Sequence, residues 1–337
     1  MKVLVSGISG FIGHHVSEAL HRHGHQVRGL VRRSSDRSGV AHLPVEFAEG
    51  DVLDRPSLDR AMEGVDAVIH LAGLTKAVTS EDFFRVNAGG TENVVAACLA
   101  RGANADARPR LVHVSSQAAV GPAPTGRVSD EGDLEAPLSH YGRSKLQAEK
   151  LVRAAASGLR ASIIRPPMVY GPRDRDILAA FKLAKQARGL FLQPGFRDKR
   201  YSIVHGEDLG EGIVLGLEKG APLSEGDRAQ GVYFVTDGAA YTWSELGRQL
   251  AQSVERRPLV VPIPETFSAV VAIAQEIGTL LTNRPPLLGF DKIRDMRGDN
   301  FVCSNARAKS ALGHSPKYDV TAGFRQTAKW YQEHGWI

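Results

Sequence analysis

The first thirteen residues leave this chain few ways to fold. An apolar strand signal at 2–6 runs straight into Gly7-Ile8-Ser9-Gly10-Phe11-Ile12-Gly13, and a helix signal follows through His23. A strand that turns directly into a helix cannot close a hairpin, so its next partner strand lies parallel to it across the helix. Glycines at 7, 10 and 13 have no Cβ. They permit a tight turn and bring backbone close to a phosphate at the helix N-terminus. Gly7, Gly10, Phe11, Ile12 and Gly13 are therefore candidate nucleotide contacts.

Further strand signals follow at 26–31, 45–49, 67–71, 110–115 and 161–165, with helix signals at 83–101 and 139–156. Strands separated by helices predict an α/β fold, a doubly wound parallel sheet covered on both faces. Such sheets bind ligands outside the carboxyl ends of their strands. The residues at those ends are Gly7, Arg32, Asp51, Ala72, Ser116 and Pro166. The second half is less regular. A helix and loop are expected at 172–195, strands at 201–209 and 232–236, and a helix at 242–253 begun by an N-cap. This divides the chain into a nucleotide-binding domain, 1–171, and a smaller, partly interleaved substrate lobe, 172–337. The strands near 201–209 and 232–236 return to the first domain.

Composition narrows the function. The net charge of +5 over 337 residues is not gathered into one block, which argues against a nucleic-acid partner. Two cysteines, Cys98 and Cys303, make neither a disulfide framework nor a zinc spacing, and fit the cytoplasm. No signal peptide is read at the N-terminus. The apolar stretch 267–281 contains Gln275 and Glu276 and is too short for a membrane span. It suits the wall of a hydrophobic pocket or a packing helix equally well. His14, His15, His21, His23 and His25 read as a solvated helix face, with no metal site expected. His113 reads as a sheet residue and His205 as structural.

The end of the second strand signal should meet an adenosine ribose. It carries Val31-Arg32-Arg33-Ser34, with no carboxylate for a free 2′-hydroxyl and two guanidiniums for a 2′-phosphate. NADP(H) is favoured, with NAD(H) possible. Asp51 is placed to accept from an adenine amino group, with Val52 against the ring. Tyr141 and Lys145 stand four apart on the 139–156 helix and so share a face. A nearby cation favours the phenolate and lowers the phenol's pKa, giving a proton donor or acceptor near neutral pH.

An ordered set of motifs joins these pieces. It comprises Gly7-x2-Gly10-x2-Gly13, Gly50-Asp51-Val52, His70-Leu71-Ala72-Gly73, Asn87-x2-Gly90-Thr91-x-Asn93, Val114-Ser115-Ser116, Tyr141-x3-Lys145 and Arg165-Pro166-Pro167-Met168-Val169-Tyr170-Gly171-Pro172. Over nearly its whole length the chain resembles the extended short-chain dehydrogenases/reductases, which have a Rossmann-type sheet. The resemblance implies that Tyr141 is the acid/base and that Lys145 holds the nicotinamide ribose. It also implies that Ser116 orients the substrate oxygen while Ser115 lines the cofactor site, and that Asn87 supports the active-site helix. Leu71, Ala72 and Gly73 would border the cofactor, and Pro166, Met168 and Val169 would flank the nicotinamide. The family commonly forms homodimers through the helices at 83–101 and 139–156.

Within that superfamily the Arg165–Pro172 segment is similar to the 3β-hydroxysteroid dehydrogenase and dihydroflavonol reductase branch. This implies NADP-linked interconversion of a ketone and a secondary alcohol on a hydrophobic or aromatic small molecule. The alternative is a nucleotide-sugar epimerase or dehydratase with tightly held NAD. Met168 counts against it, standing where those enzymes often carry an Asn that contacts the diphosphate; Arg200 counts for it. A non-catalytic NADP-sensing regulator is a more remote alternative, since such proteins typically lack the Tyr-Lys pair.

Overall fold

The computed structural model describes residues 1–337 except 124–125, 198, 265, 268–274, 276–278, 280–281, 283–284, 287–288, 297 and 299. Six strands build most of the main sheet: β1 (Lys2–Ser6), β2 (Gln26–Val31), β3 (Val45–Glu49), β4 (Ala67–His70), β5 (Arg110–Val114) and β6 (Ala161–Arg165). The seventh, Val232–Phe234, pairs parallel with β6. The order across the sheet is Val232–Phe234, β6, β5, β4, β1, β2, β3. The chain thus winds outward from β1 in one direction and then from β4 in the other. The carboxyl ends of β1 and β4 bound the switch point, where such sheets bind ligands.

Each central strand is buried on both faces, which is why it reads as an unbroken apolar run. Val3 and Val5 enter one core, with Val16 and Leu20 of α1 (Phe11–Arg22) and Ile213 of the helix Gly206–Lys219. Leu4 enters the opposite core with Val94 and Val152, from the helices Gly90–Leu99 and His140–Ala154.

The sequence signal at 83–101 resolves into three pieces: Ser80–Phe83, a π-helical turn Phe84–Gly89, and Gly90–Leu99. The widened turn contains Asn87, whose backbone carbonyl accepts from Thr91 Oγ1 at 2.6 Å. The expected strand at 201–209 is also corrected. Arg200–Tyr201 and Ile203–His205 are short strands, and the helix Gly206–Lys219 begins immediately after them. Ile203–His205 pairs with Met168–Tyr170 in a separate two-stranded sheet, not with the main one. Four glycines (206, 210, 212 and 216) disguise that helix, and packing explains two of them. A Cβ at Gly210 would lie 2.7 Å from the His15 carbonyl oxygen, and one at Gly206 would lie 2.4 Å from the His15 ring.

The remaining elements gather around a third core containing Tyr170, Phe181, Phe191, Leu246, Phe324 and Tyr331. Its helix Trp243–Ser253 is started by Thr242 and Glu245, which form a reciprocal capping box. The apolar stretch 267–281 lies mostly outside the described residues. Among the described residues no helix is long and apolar enough to cross a membrane.

Candidate active site

Gly7 leaves β1 at φ +76°, and a Cβ there would sit 2.8 Å from the Ala72 backbone nitrogen. At Gly13 a Cβ would come within 2.4 Å of the Gly7 carbonyl oxygen. Both positions therefore exclude side chains because backbone already fills the space. Gly10 is exposed and caps α1 without a side-chain hydrogen bond. That leaves the first-turn amides of Phe11, Ile12 and Gly13 for an outside acceptor. The loop fits a dinucleotide pyrophosphate.

Beyond β2, Arg32, Arg33 and Ser34 are all exposed. Arg33 is ion-paired with Glu49 at the end of β3, a partner that sequence reading missed. Arg32 is exposed, and its backbone amide donates to Ser35 Oγ at 3.0 Å. The Asp51 carboxylate accepts from Leu53 N at 2.9 Å, and Val52 is buried against Gly90. After β4, the Leu71 amide donates to the Ser6 carbonyl at 3.1 Å and the Ala72 amide to Ser6 Oγ at 3.3 Å. A Cβ at Gly73 would meet Asn87 Oδ1 at 2.8 Å.

The helix His140–Ala154, capped by Ser139, aligns Tyr141, Lys145 and Glu149 at four-residue intervals along one stripe. Lys145 is buried, and its Nζ donates to the Val114 carbonyl at 2.7 Å. Burial lowers its pKa to about 8, against the attraction of Glu149. Tyr141 packs edge-on against Phe83, with ring centroids 6.0 Å apart, and its phenol lies near enough to the Ser116 side chain to be influenced by it. The expectation that a cation would lower the phenol's pKa is corrected. Burial raises it, Ser116 pulls it back, and Asp295 raises it further. The ammonium is directed at a carbonyl instead, so the phenol stays protonated at neutral pH.

Asn87 ties two segments together. Its Oδ1 accepts from Leu74 N at 2.7 Å, and its Nδ2 donates to Leu74 O at 3.1 Å and Ser144 Oγ at 2.9 Å. The loop after β4 is thereby held to the helix that carries Tyr141. Ser115 is buried with its hydroxyl beside the Glu149 carboxylate. Pro166 is buried, and its carbonyl accepts from Gln117 N at 2.8 Å. Met168 and Val169 are half-buried in the strand that follows.

Two acidic residues of the helix Phe290–Met296 reach this site and were missed. Asp291 accepts from the amides of His140 and Tyr141 at 2.6 and 3.0 Å, and desolvation raises the Asp295 pKa to about 6. Only an i, i+4 Asp pair marked them in the sequence. The histidine expectation is also corrected. His14 and His15 are buried between α1 and its neighbours. His23 and His25 bond Glu211 and Glu218, at 2.8 and 2.9 Å respectively. His70 and His113 lie buried under the site. His70 shares hydrogen bonds with Ser6 Oγ at 2.7 Å and Thr91 Oγ1 at 3.0 Å. Arg200 is exposed and donates to the Ala240 carbonyl at 3.3 Å.

A model of the NAD-dependent epimerase/dehydratase family matches residues 3–229. The ceramide reductase of Caulobacter vibrioides is 33% identical over 342 residues, covering 99% of this chain and 96% of the relative. The 4-hydroxy-2-methyl-3-oxo-4-farnesyl-3,4-dihydroquinoline-1-oxide ketoreductase of Stigmatella aurantiaca is 34% identical over 244 residues, 71% of this chain and 69% of the relative. Among solved structures, the UDP-glucose 4-epimerase of Thermus thermophilus in complex with NAD superposes with a TM-score of 0.75 at 26% identity, covering 98% of this chain and 99% of its own. The chain belongs to the NAD-dependent epimerase/dehydratase family, within the extended short-chain dehydrogenases/reductases, and is an NAD(P)-dependent oxidoreductase.

Proposed function

We propose that this oxidoreductase interconverts a ketone and a secondary alcohol on a hydrophobic or aromatic small molecule, using NADP(H). The reading is carried by the Tyr141 phenol beside Ser116, with the Lys145 ammonium buried one turn behind it. When bound, the cofactor supplies or accepts the hydride. In the direction of reduction, Tyr141 gives its proton to the carbonyl oxygen as negative charge gathers there. Ser116 donates a second hydrogen bond to the same oxygen. A donor aimed where charge develops contributes roughly 10²- to 10³-fold in rate. Burial keeps the phenol protonated until that moment, and Lys145 holds the nicotinamide ribose. Asn87 holds the helix in register with the loop after β4.

Arg32 supports the choice of NADP(H), and the names of the two reductase relatives support an apolar ketone. A cytoplasmic location accords with Cys98 and Cys303, both buried as free thiols. The reading includes a homodimer through the helices Gly90–Leu99 and His140–Ala154, by analogy with the family. The test is Tyr141→Phe. Turnover of a ketone panel should fall about 10²- to 10⁴-fold while NADPH affinity is kept; an active variant would overturn the assignment.

A second reading, a nucleotide-sugar epimerase with NAD, is favoured by the likeness to the Thermus thermophilus enzyme. It predicts that purified protein retains NAD and converts a UDP-sugar with no net oxidation.

A further inference from the structure

Away from the catalytic stripe, three side chains converge on the outer flank of α1. His14 and Glu18 stand four apart and so share a helical face. His42, from the segment between β2 and β3, reaches them from the side. One potential ligand atom from each residue lies within 4.8 Å of the other two. The separations are informative. His14 Nε2 is 3.5 Å and His42 Nε2 is 3.6 Å from the same Glu18 oxygen, Oε1. Both are long for a hydrogen bond. Yet ligands bound at about 2.0–2.1 Å around a tetrahedral cation stand roughly 3.3 Å apart. Glu18 Oε1 thus stands from each imidazole nitrogen at a separation nearer that of two ligands on one ion than that of a hydrogen-bonded pair.

The far side of His14 supports the same conclusion. Its Nδ1 is 2.7 Å from the Gly39 carbonyl oxygen. An acceptor there places the proton on Nδ1 and leaves the Nε2 lone pair facing Glu18 and His42. This carbonyl–histidine pairing is the outer-shell arrangement that orients metal-binding imidazoles. His14 is itself buried, while Glu18 and His42 keep the opening accessible to solvent. Arg173 contributes an opposing positive charge at His14, and the Glu18 carboxylate offsets it.

We propose that His14, Glu18 and His42 bind a divalent transition cation of the zinc class, with solvent completing a tetrahedral shell. The cation clasps α1 to the segment that follows the Arg32–Arg33 corner. Two nitrogens and one carboxylate oxygen suit zinc or cobalt better than magnesium or calcium, which prefer all-oxygen shells.

The test uses the full chain stripped of metal with a chelator. Zinc binding is followed by calorimetry, and cobalt binding by the visible absorption of a tetrahedral site. One equivalent should bind and raise Tm. His42→Ala and Glu18→Gln should each weaken zinc binding at least about tenfold, since outer-shell partners alone are worth 10–100-fold. Circular dichroism of the metal-free variants should match that of the parent. His25→Ala disturbs the separate cluster with Glu218 and should leave zinc affinity unchanged. The proposal is overturned if the parent binds no zinc, if binding survives His42→Ala and Glu18→Gln undiminished, or if it is lost in His25→Ala.

Discussion

Residue 145 holds an ammonium against the Val114 carbonyl, and burial brings its pKa down to about 8. Raising the pH through 8 removes the charge with which Lys145 is proposed to hold the nicotinamide ribose. A pH–rate profile for ketone reduction should therefore fall above about pH 8, and Lys145→Arg, where it retains activity, should move that limb upward. The two arginines after β2 divide differently. Arg33 is engaged by Glu49, whereas Arg32 is free to meet a phosphate. Arg32→Ala should weaken NADPH binding by roughly ten- to a hundredfold, the worth of one charge-assisted hydrogen bond, and leave NADH binding nearly unchanged. Arg33→Ala should do less. Fluorescence titration of both cofactors against both variants measures the contrast.

The active-site helix is fastened to β6 by a buried ion pair. Arg165 Nη2 is 2.6 Å and its Nε 2.9 Å from the two Glu149 carboxylate oxygens, and both side chains are fully buried. Breaking such a pair strands a charge in the core, so Glu149→Ala should cost about 3–5 kcal/mol in urea unfolding. Glu149 was not read from the sequence as a site residue, although it continues the Tyr141–Lys145 spacing. Its partner is sixteen residues away, and a glutamate on a helix ordinarily faces water.

Legibility elsewhere followed the same physics. β1, β2, β3 and β6 have the boundaries expected of them: β1 and β6 are buried apolar runs, β3 is a part-exposed edge strand, and Gly, Arg or Pro follows each. The helix Gly206–Lys219 was mistaken in part for a strand because its glycines, Gly206 and Gly210 against α1 among them, serve close packing, not helix propensity. The π-helical turn at Asn87 left no mark, because its signal is a set of side-chain bonds to Leu74 and Ser144. Gly7, Ser116, Tyr141 and Lys145 were legible because each ends a strand or repeats a helical spacing. Asp291 and Asp295 belong to a lobe whose docking no local pattern announces.

Across the whole molecule, two sets of buried groups oppose each other in pH. His70, His113 and His205 are kept neutral by burial, His70 with a pKa of about 3 and His205 of about 4. An unfolded histidine takes up its proton near pH 6.5, so each adds stability that is present above 6.5 and lost as the pH falls. Asp174, Asp237 and Asp295 titrate at about 6 when folded. They hold protons that the unfolded chain releases near pH 4, so their contribution declines as the pH rises from about 4 to about 6. The histidines move further from their ordinary value and prevail. Tm should be highest near neutral pH and fall below 6.5, and it should fall less steeply in His113→Leu.

The strand Val232–Phe234 closes the sheet against β6 only after more than a third of the second half has been built. Until it arrives, β6 presents an unpaired row of backbone donors and acceptors, the kind of edge on which chains associate. During synthesis the first 171 residues would spend that interval with a sticky flank. A truncation there should be recovered mainly in aggregates, and adding the downstream half in trans should rescue some of it. Residues 1–171 would thus depend on the strand Val232–Phe234 for their solubility.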